Sequence, residues 1–149
     1  MNFDWNTYID LAKTLNAMRD ESAQRSAVSR AYYGAFHAAS ITLRTNGVLT
    51  FPQDARKSHA KIWNVYKKSQ SRNCRRVGVK CGRFMDLRHD ADYDATVSFH
   101  AADVGIIIND VENAVVDLAT HVPEGYTGPT TLPNNLNQFL ARLKKALGL

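Results

Sequence analysis

Apolar residues recur every three or four positions along nearly the whole chain, and no stretch keeps up the two-residue alternation of a half-buried strand. The pattern predicts an all-α fold, a bundle of four to five up-and-down helices followed by an extra C-terminal helix. A first helix is expected from about Trp5 to Arg19, capped by Asp4, with Tyr8, Leu11, Ala12, Leu15 and Met18 on one side. A second runs from about Ser22 to Asn46 and stops at Gly47, with Val48 to Pro52 as a connection. A third covers roughly Asp54 to Ser69, with Ile62, Val65 and Tyr66 inward and Trp63 at the edge. A fourth is expected from about Arg76 to Ala91, using Val77, Cys81, Phe84 and Leu87 or Arg88 on its inner side. Ser98 can cap a fifth from Phe99 to about Thr120, whose apolar stripe is wide: Val104, Ile107, Ile108, Val111, Val115 and Leu118.

Composition changes after His121. Prolines and glycines crowd residues 122–134, which read as an irregular linker, so the bundle is bounded at 1–121. Residues 135–149 then form an amphipathic segment in which Leu136, Phe139, Leu140, Leu143 and Leu147 oppose Arg142, Lys144 and Lys145. Docking onto its own domain or onto a second copy is the first expectation for that tail.

The second helix carries the most unusual pattern. Ser26, Arg30, Tyr33, His37, Ser40 and Arg44 step by three or four residues and line one face. The packing stripe is Val28, Tyr32, Ala35, Phe36, Ala39 and Leu43, while Ala27, Ala31, Gly34 and Ala38 are small enough to admit another backbone. A glycine inside a helix is unfavourable by roughly 1 kcal/mol against alanine, so Gly34 points to a close neighbour or a flexible spot. Read structurally, the Arg and His of this stripe are satisfied by carboxylates on a partner helix.

Charge narrows the possible partners. The chain has 19 Lys and Arg against 14 Asp and Glu, a net +5 that favours polyanions. Lys67, Lys68, Arg72, Arg75, Arg76, Lys80 and Arg83 follow one another with no acidic residue between them, so this stretch is either a solvated basic turn or a nucleic-acid contact, with Arg75 and Arg76 as candidate substrate-binding residues. The first residues lack the basic-then-apolar pattern of a secretory leader, and the longest greasy run, around Val104 to Val116, is broken by Asn109, Asp110, Glu112 and Asn113. Cys74 and Cys81 have no neighbouring Cys or His ligands, which argues against zinc and demands no disulfide. A cytoplasmic protein without membrane association, metal or cofactor is expected.

A second chemical signal is Arg88-His89-Asp90-Ala91-Asp92-Tyr93. On a continuing helix Arg88 faces Asp92 and His89 faces Tyr93, each pair four residues apart. A guanidinium, an imidazole and a phenol are the groups that metal-free RNA cleavage needs. The ribose 2′-hydroxyl must lose its proton, the leaving 5′-oxygen must gain one, and the extra charge on phosphorus must meet a cation. Arg is the natural charge stabiliser, and His89, His37 or His59 can carry protons near neutral pH.

Together, Ser29-Arg30-Ala31-Tyr32-Tyr33-Gly34-Ala35-Phe36-His37 and the Arg88 to Tyr93 segment resemble the HEPN superfamily, in the branch of small stand-alone proteins. Ser58-His59-Ala60-Lys61 falls where that branch carries a Thr-His-Lys-like helix start. The resemblance implies a dimerising helical bundle with a cleft at the interface. It implies a metal-independent endoribonuclease acting as a toxin or defence protein, often beside a nucleotidyltransferase-like antitoxin. The family's motif is an Arg, four to six residues, then a His; here those spacings offer Tyr93, Asp94 and Ala95. On this reading Arg88 stabilises phosphate charge, Asp92 fixes Arg88 and His89 moves protons. Tyr93 binds substrate or is modified by a partner, while Arg30, Tyr33, His37 and His59 complete the substrate cleft. The alternatives are an inactive module that binds RNA, nucleotide or a partner protein, and a buried polar network of Arg30, His37, Arg88 and Asp92 that only fixes the bundle.

Overall fold

A computed structural model describes residues 2–48 and 58–123, and these form five helices in up-and-down order with no strand among them: α1 (Thr7–Ala17), α2 (Glu21–Thr45), α3 (Ser58–Lys67), α4 (Arg72–Tyr93) and α5 (Ala101–Thr120). The expected start of the third helix at Asp54, most of the 122–134 linker and the amphipathic segment 135–149 lie outside the described residues.

Helix α2 is the hub. It packs against α1, α5 and α4, whereas α3 rests chiefly on α4. All six residues of its predicted packing stripe are buried, as are the four small ones, Ala27, Ala31, Gly34 and Ala38. The close neighbour implied by Gly34 is α1, since a Cβ at that position would stand 2.8 Å from Ile9 Cγ1. Tyr32, Leu43, Ile62, Trp63, Tyr66, Val77, Val104, Val111 and Leu118 fill the centre. Each such side chain contributes roughly 1.5–3 kcal/mol on leaving water. Trp63, expected at the edge of the third helix, is instead only 1% exposed, with its indole against Tyr32 of α2, to whose hydroxyl it donates at 3.1 Å.

The helix ends show what periodicity alone misplaces. Helix α4 begins at Arg72, one turn before the expected Arg76, because the Ser71 hydroxyl accepts from the Cys74 N–H. Gly78 and Gly82 do not weaken its start; they let α3 approach. A Cβ on Gly78 would lie 2.7 Å from Tyr66 Cβ and 2.8 Å from the Lys67 nitrogen. Helix α5 is capped from outside rather than by Ser98, with His100 at its N-cap making no side-chain bond. In the amide orientation that pairs donor with acceptor, Gln24 accepts from the Ala101 N–H at 3.1 Å and donates to the Phe99 carbonyl at 2.6 Å. At α1, Asp4 does not occupy the cap position, which is Asn6, but lies two residues before it and receives the Asn6 N–H at 3.0 Å.

Arg25 closes the bundle at the other end of α4. Its guanidinium donates to the carbonyls of Ala91 at 3.1 Å, Asp94 at 3.0 Å and Val97, lies over the Phe99 ring, and pairs with Glu21. A cation on the carbonyl end of a helix also meets its dipole favourably.

If the glycine at position 78 sets the α3–α4 distance, Gly78→Ala should lower unfolding free energy by about 1–3 kcal/mol through overpacking against backbone. Urea denaturation measures this, and a midpoint equal to wild type would show that α3 can move away freely.

Candidate functional site

Two cationic sites lie on opposite faces of α4. Positions 72, 75, 76, 79, 80 and 83 follow helical spacing down the outer face, whereas Cys74, Val77, Cys81 and Phe84 are buried and Arg88 continues their face. The outer residues, with Lys67 from the end of α3, line an open groove of about 750 Å³ in which Val79 is the one uncharged side chain. No carboxylate lines it among the described residues. Lys80 alone has a described acidic neighbour, Asp110 at 3.7 Å. Lys67 reaches the groove because Gly82 lacks a side chain: a Cβ there would stand 2.6 Å from Lys67 Nζ. Arg75 also spans the α3–α4 turn, donating to the carbonyls of Ser69 at 2.9 Å and Gln70 at 2.6 Å.

The second depression is smaller and already neutralised. It measures about 350 Å³ between α1 and α5, and its cation, Lys13, is bonded to Glu112 at 2.5 Å.

On the inner face, Arg88 sits between α4 and α2 with 16% of its side chain exposed. Its guanidinium lies 5.5 Å from the centre of the Tyr32 ring and 5.9 Å from that of Tyr33. Its ionic partner is Asp92, at 3.6 Å, which also receives the Ser29 hydroxyl at 3.2 Å. Arg88 Nε is buried without a hydrogen-bond partner among the described residues. His59 flanks the same two rings, 5.6 Å from Tyr32 and 5.7 Å from Tyr33, and stacks on Phe36 at 3.9 Å. Its Nδ1 is 2.7 Å from the Tyr32 hydroxyl, to which Trp63 Nε1 donates at 3.1 Å.

The structure therefore joins Arg88 with Asp92, Tyr33 and His59, and separates it from His89. Consecutive residues on a helix point about 100° apart, and His89 is exposed, with its ring 5.1 Å from that of Tyr93, itself 72% exposed. Arg30 and His37 have rings as partners where carboxylates were expected. Arg30 lies 5.1 Å from the Tyr8 ring and 5.3 Å from that of Tyr33, and His37 stacks on Trp5 at 3.6 Å. Arg75 and Arg76 belong to the outer groove. Among the described residues no group of three His, Cys, Asp or Glu side chains could hold a metal ion, and no helix is long and apolar enough to cross a membrane. Cys74 and Cys81 are buried free thiols, and burial pushes Cys81 up to about 12.

No family model, curated protein or solved structure matches this chain.

Burial also disfavours charge on the two imidazoles. It pushes His37 down to about 4, helped by His59 and Arg44, and it lowers His59, helped by the Arg88 charge. Unfolded, both take up a proton near the ordinary value of about 6.5. The unfolded chain thus binds more protons than the folded one just below that value, and stability present above it is lost as pH falls toward 4. Melting temperatures recorded by circular dichroism should drop between pH 7 and 4.5. His37→Phe, which keeps the stack on Trp5, should flatten that slope; an unaltered slope would show that His37 does not titrate as described.

Proposed function

We propose that this chain is a HEPN-like helical bundle that binds RNA through its phosphates. The observation that carries the reading is the outer groove of α4, where Lys67, Arg72, Arg75, Arg76, Lys80 and Arg83 converge with no carboxylate among the described residues of the lining. Like charges so close repel one another, and an arrangement that keeps them together is compensated when a polyanion releases its counterions on binding. The groove contains planar guanidinium groups and one short apolar side chain, which suits a backbone of phosphodiesters better than base edges. The HEPN resemblance adds a homodimer and an RNA-directed role in toxicity or defence, alongside a nucleotidyltransferase-like antitoxin. Free Cys74 and Cys81 fit a reducing cytoplasm.

Fluorescence anisotropy with a single-stranded oligonucleotide tests the reading. The double variant Arg76→Glu, Arg83→Glu should bind at least about tenfold more weakly than wild type and show a smaller salt slope. Lys13→Ala, whose cation is paired with Glu112, should bind normally. Equal affinity of wild type and double variant would remove the groove from consideration.

A second reading, metal-independent cleavage of the bound RNA, is favoured by one specific cluster: Arg88 beside His59 and Tyr33. It predicts fragments with 2′,3′-cyclic phosphate ends in the presence of EDTA, abolished by Arg88→Ala in a variant with wild-type helicity. RNA recovered intact would leave binding without turnover.

A further inference from the structure

We propose that His59 and Arg88 form a phosphate clamp in which His59 is a fixed neutral donor, with its proton on Nε2, rather than a carrier of protons. The phosphate class of ligand rests on the RNA reading above; the clamp itself follows from the hydrogen bonds.

The indole of Trp63 has one polar atom, and that atom can only donate. It lies 3.1 Å from the Tyr32 hydroxyl oxygen, so this oxygen accepts. Tyr32 is 1% exposed, and its own proton has one acceptor among the described residues, His59 Nδ1 at 2.7 Å. Burial raises the Tyr32 pKa well beyond the ordinary phenol value, so that proton stays in place. An imidazole accepting at Nδ1 carries its single proton on Nε2 when neutral. Stacking on Phe36 at 3.9 Å and 21° then fixes the plane in which that N–H lies. Burial, and after it the Arg88 charge from α4, keep His59 neutral.

Arg88 supplies the independent half of the argument. A guanidinium offers five N–H donors, and a mostly buried one normally uses them on carboxylates or carbonyls. Among the described residues this one has a single ionic contact, at 3.6 Å, and a buried Nε with none, while Asp92 is held by Ser29 as well. Unspent donors from Arg88 and His59 flank the same pair of tyrosine rings. Both call for one kind of atom, an anionic oxygen, and Tyr33, half-buried beside them, offers a ring edge to whatever carries it.

The test uses the full chain. Long-range 15N–1H correlation spectra at pH 7 should show the His59 proton on Nε2 in wild type, and a mixture of tautomers in Tyr32→Phe; a proton on Nδ1 in wild type overturns the relay. Titrations with AMP and with a hexauridylate compare His59→Ala with His59→Gln, which keeps an N–H near the Nε2 position. Affinity should fall about tenfold in the first, as expected for one hydrogen bond to a charged group, and recover in the second. A loss seen with AMP assigns the clamp to a nucleotide phosphate as such; a loss seen with the oligonucleotide alone assigns it to the polymer. No loss with either overturns the proposal. Failure here leaves the groove reading intact if Arg76→Glu, Arg83→Glu still weakens RNA binding. The reverse pattern keeps the clamp and discards the groove.

Discussion

Two helical glycines crowded by a neighbouring helix, Gly34 by the Ile9 side chain and Gly78 by the backbone of Tyr66 and Lys67, shape this bundle. Gly34 brings α1 onto α2 and Gly78 brings α3 onto α4, each leaving no room for a Cβ. The first contact lays the rings of Trp5 and Tyr8 over His37 and Arg30; the second draws Lys67 across Gly82 into the arginines of α4. The Arg30–His37 stripe and the outer groove thus both lie beside glycines that a propensity scale would count as flaws in their helices.

Helix α4 carries opposite kinds of electrostatics on its two sides. On the outer face the cations lie close together, and among the described residues only Lys80 has a carboxylate partner, which suits a long, flexible, strongly charged ligand whose affinity depends on salt. On the inner face a single guanidinium is nearly out of water, between tyrosine rings, with its carboxylate at 3.6 Å. Leaving a buried donor unmade is unfavourable by about 1–3 kcal/mol, and more for a charged group. A molecule tolerates that where something else completes the bond. Arg25 shows the contrast, since its guanidinium sits in a comparable setting and is spent on carbonyls at the end of α4.

Much of the fold was legible in the chain. The three-to-four-residue spacing placed α2 and α5 nearly to the residue, and the small side chains of α2 foretold its buried position. The start of α4 was not, because Ser71 is one of several serines near a basic turn and only the Cys74 N–H singles it out. Neither was the burial of Trp63, whose indole meets Tyr32 of another helix, thirty-one residues away. Beyond its i to i+4 pair with Glu21, the Arg25 network had no local signal: its other acceptors are backbone carbonyls more than sixty residues away. At the candidate site, i to i+4 spacing did pair Arg88 with Asp92 and His89 with Tyr93. Adjacency in sequence misled by grouping Arg88 with His89, whereas the imidazole that reaches it, His59, comes from another helix through Tyr32.

The central claim is that the outer face of α4 is where RNA lies. Backbone amide spectra of the full chain, recorded while a single-stranded oligonucleotide is added, test it most directly. The account predicts shifts concentrated between Lys67 and Arg83, fading along α5 and α1. Shifts confined to α1 and α5, with residues 67–83 unmoved, would contradict it.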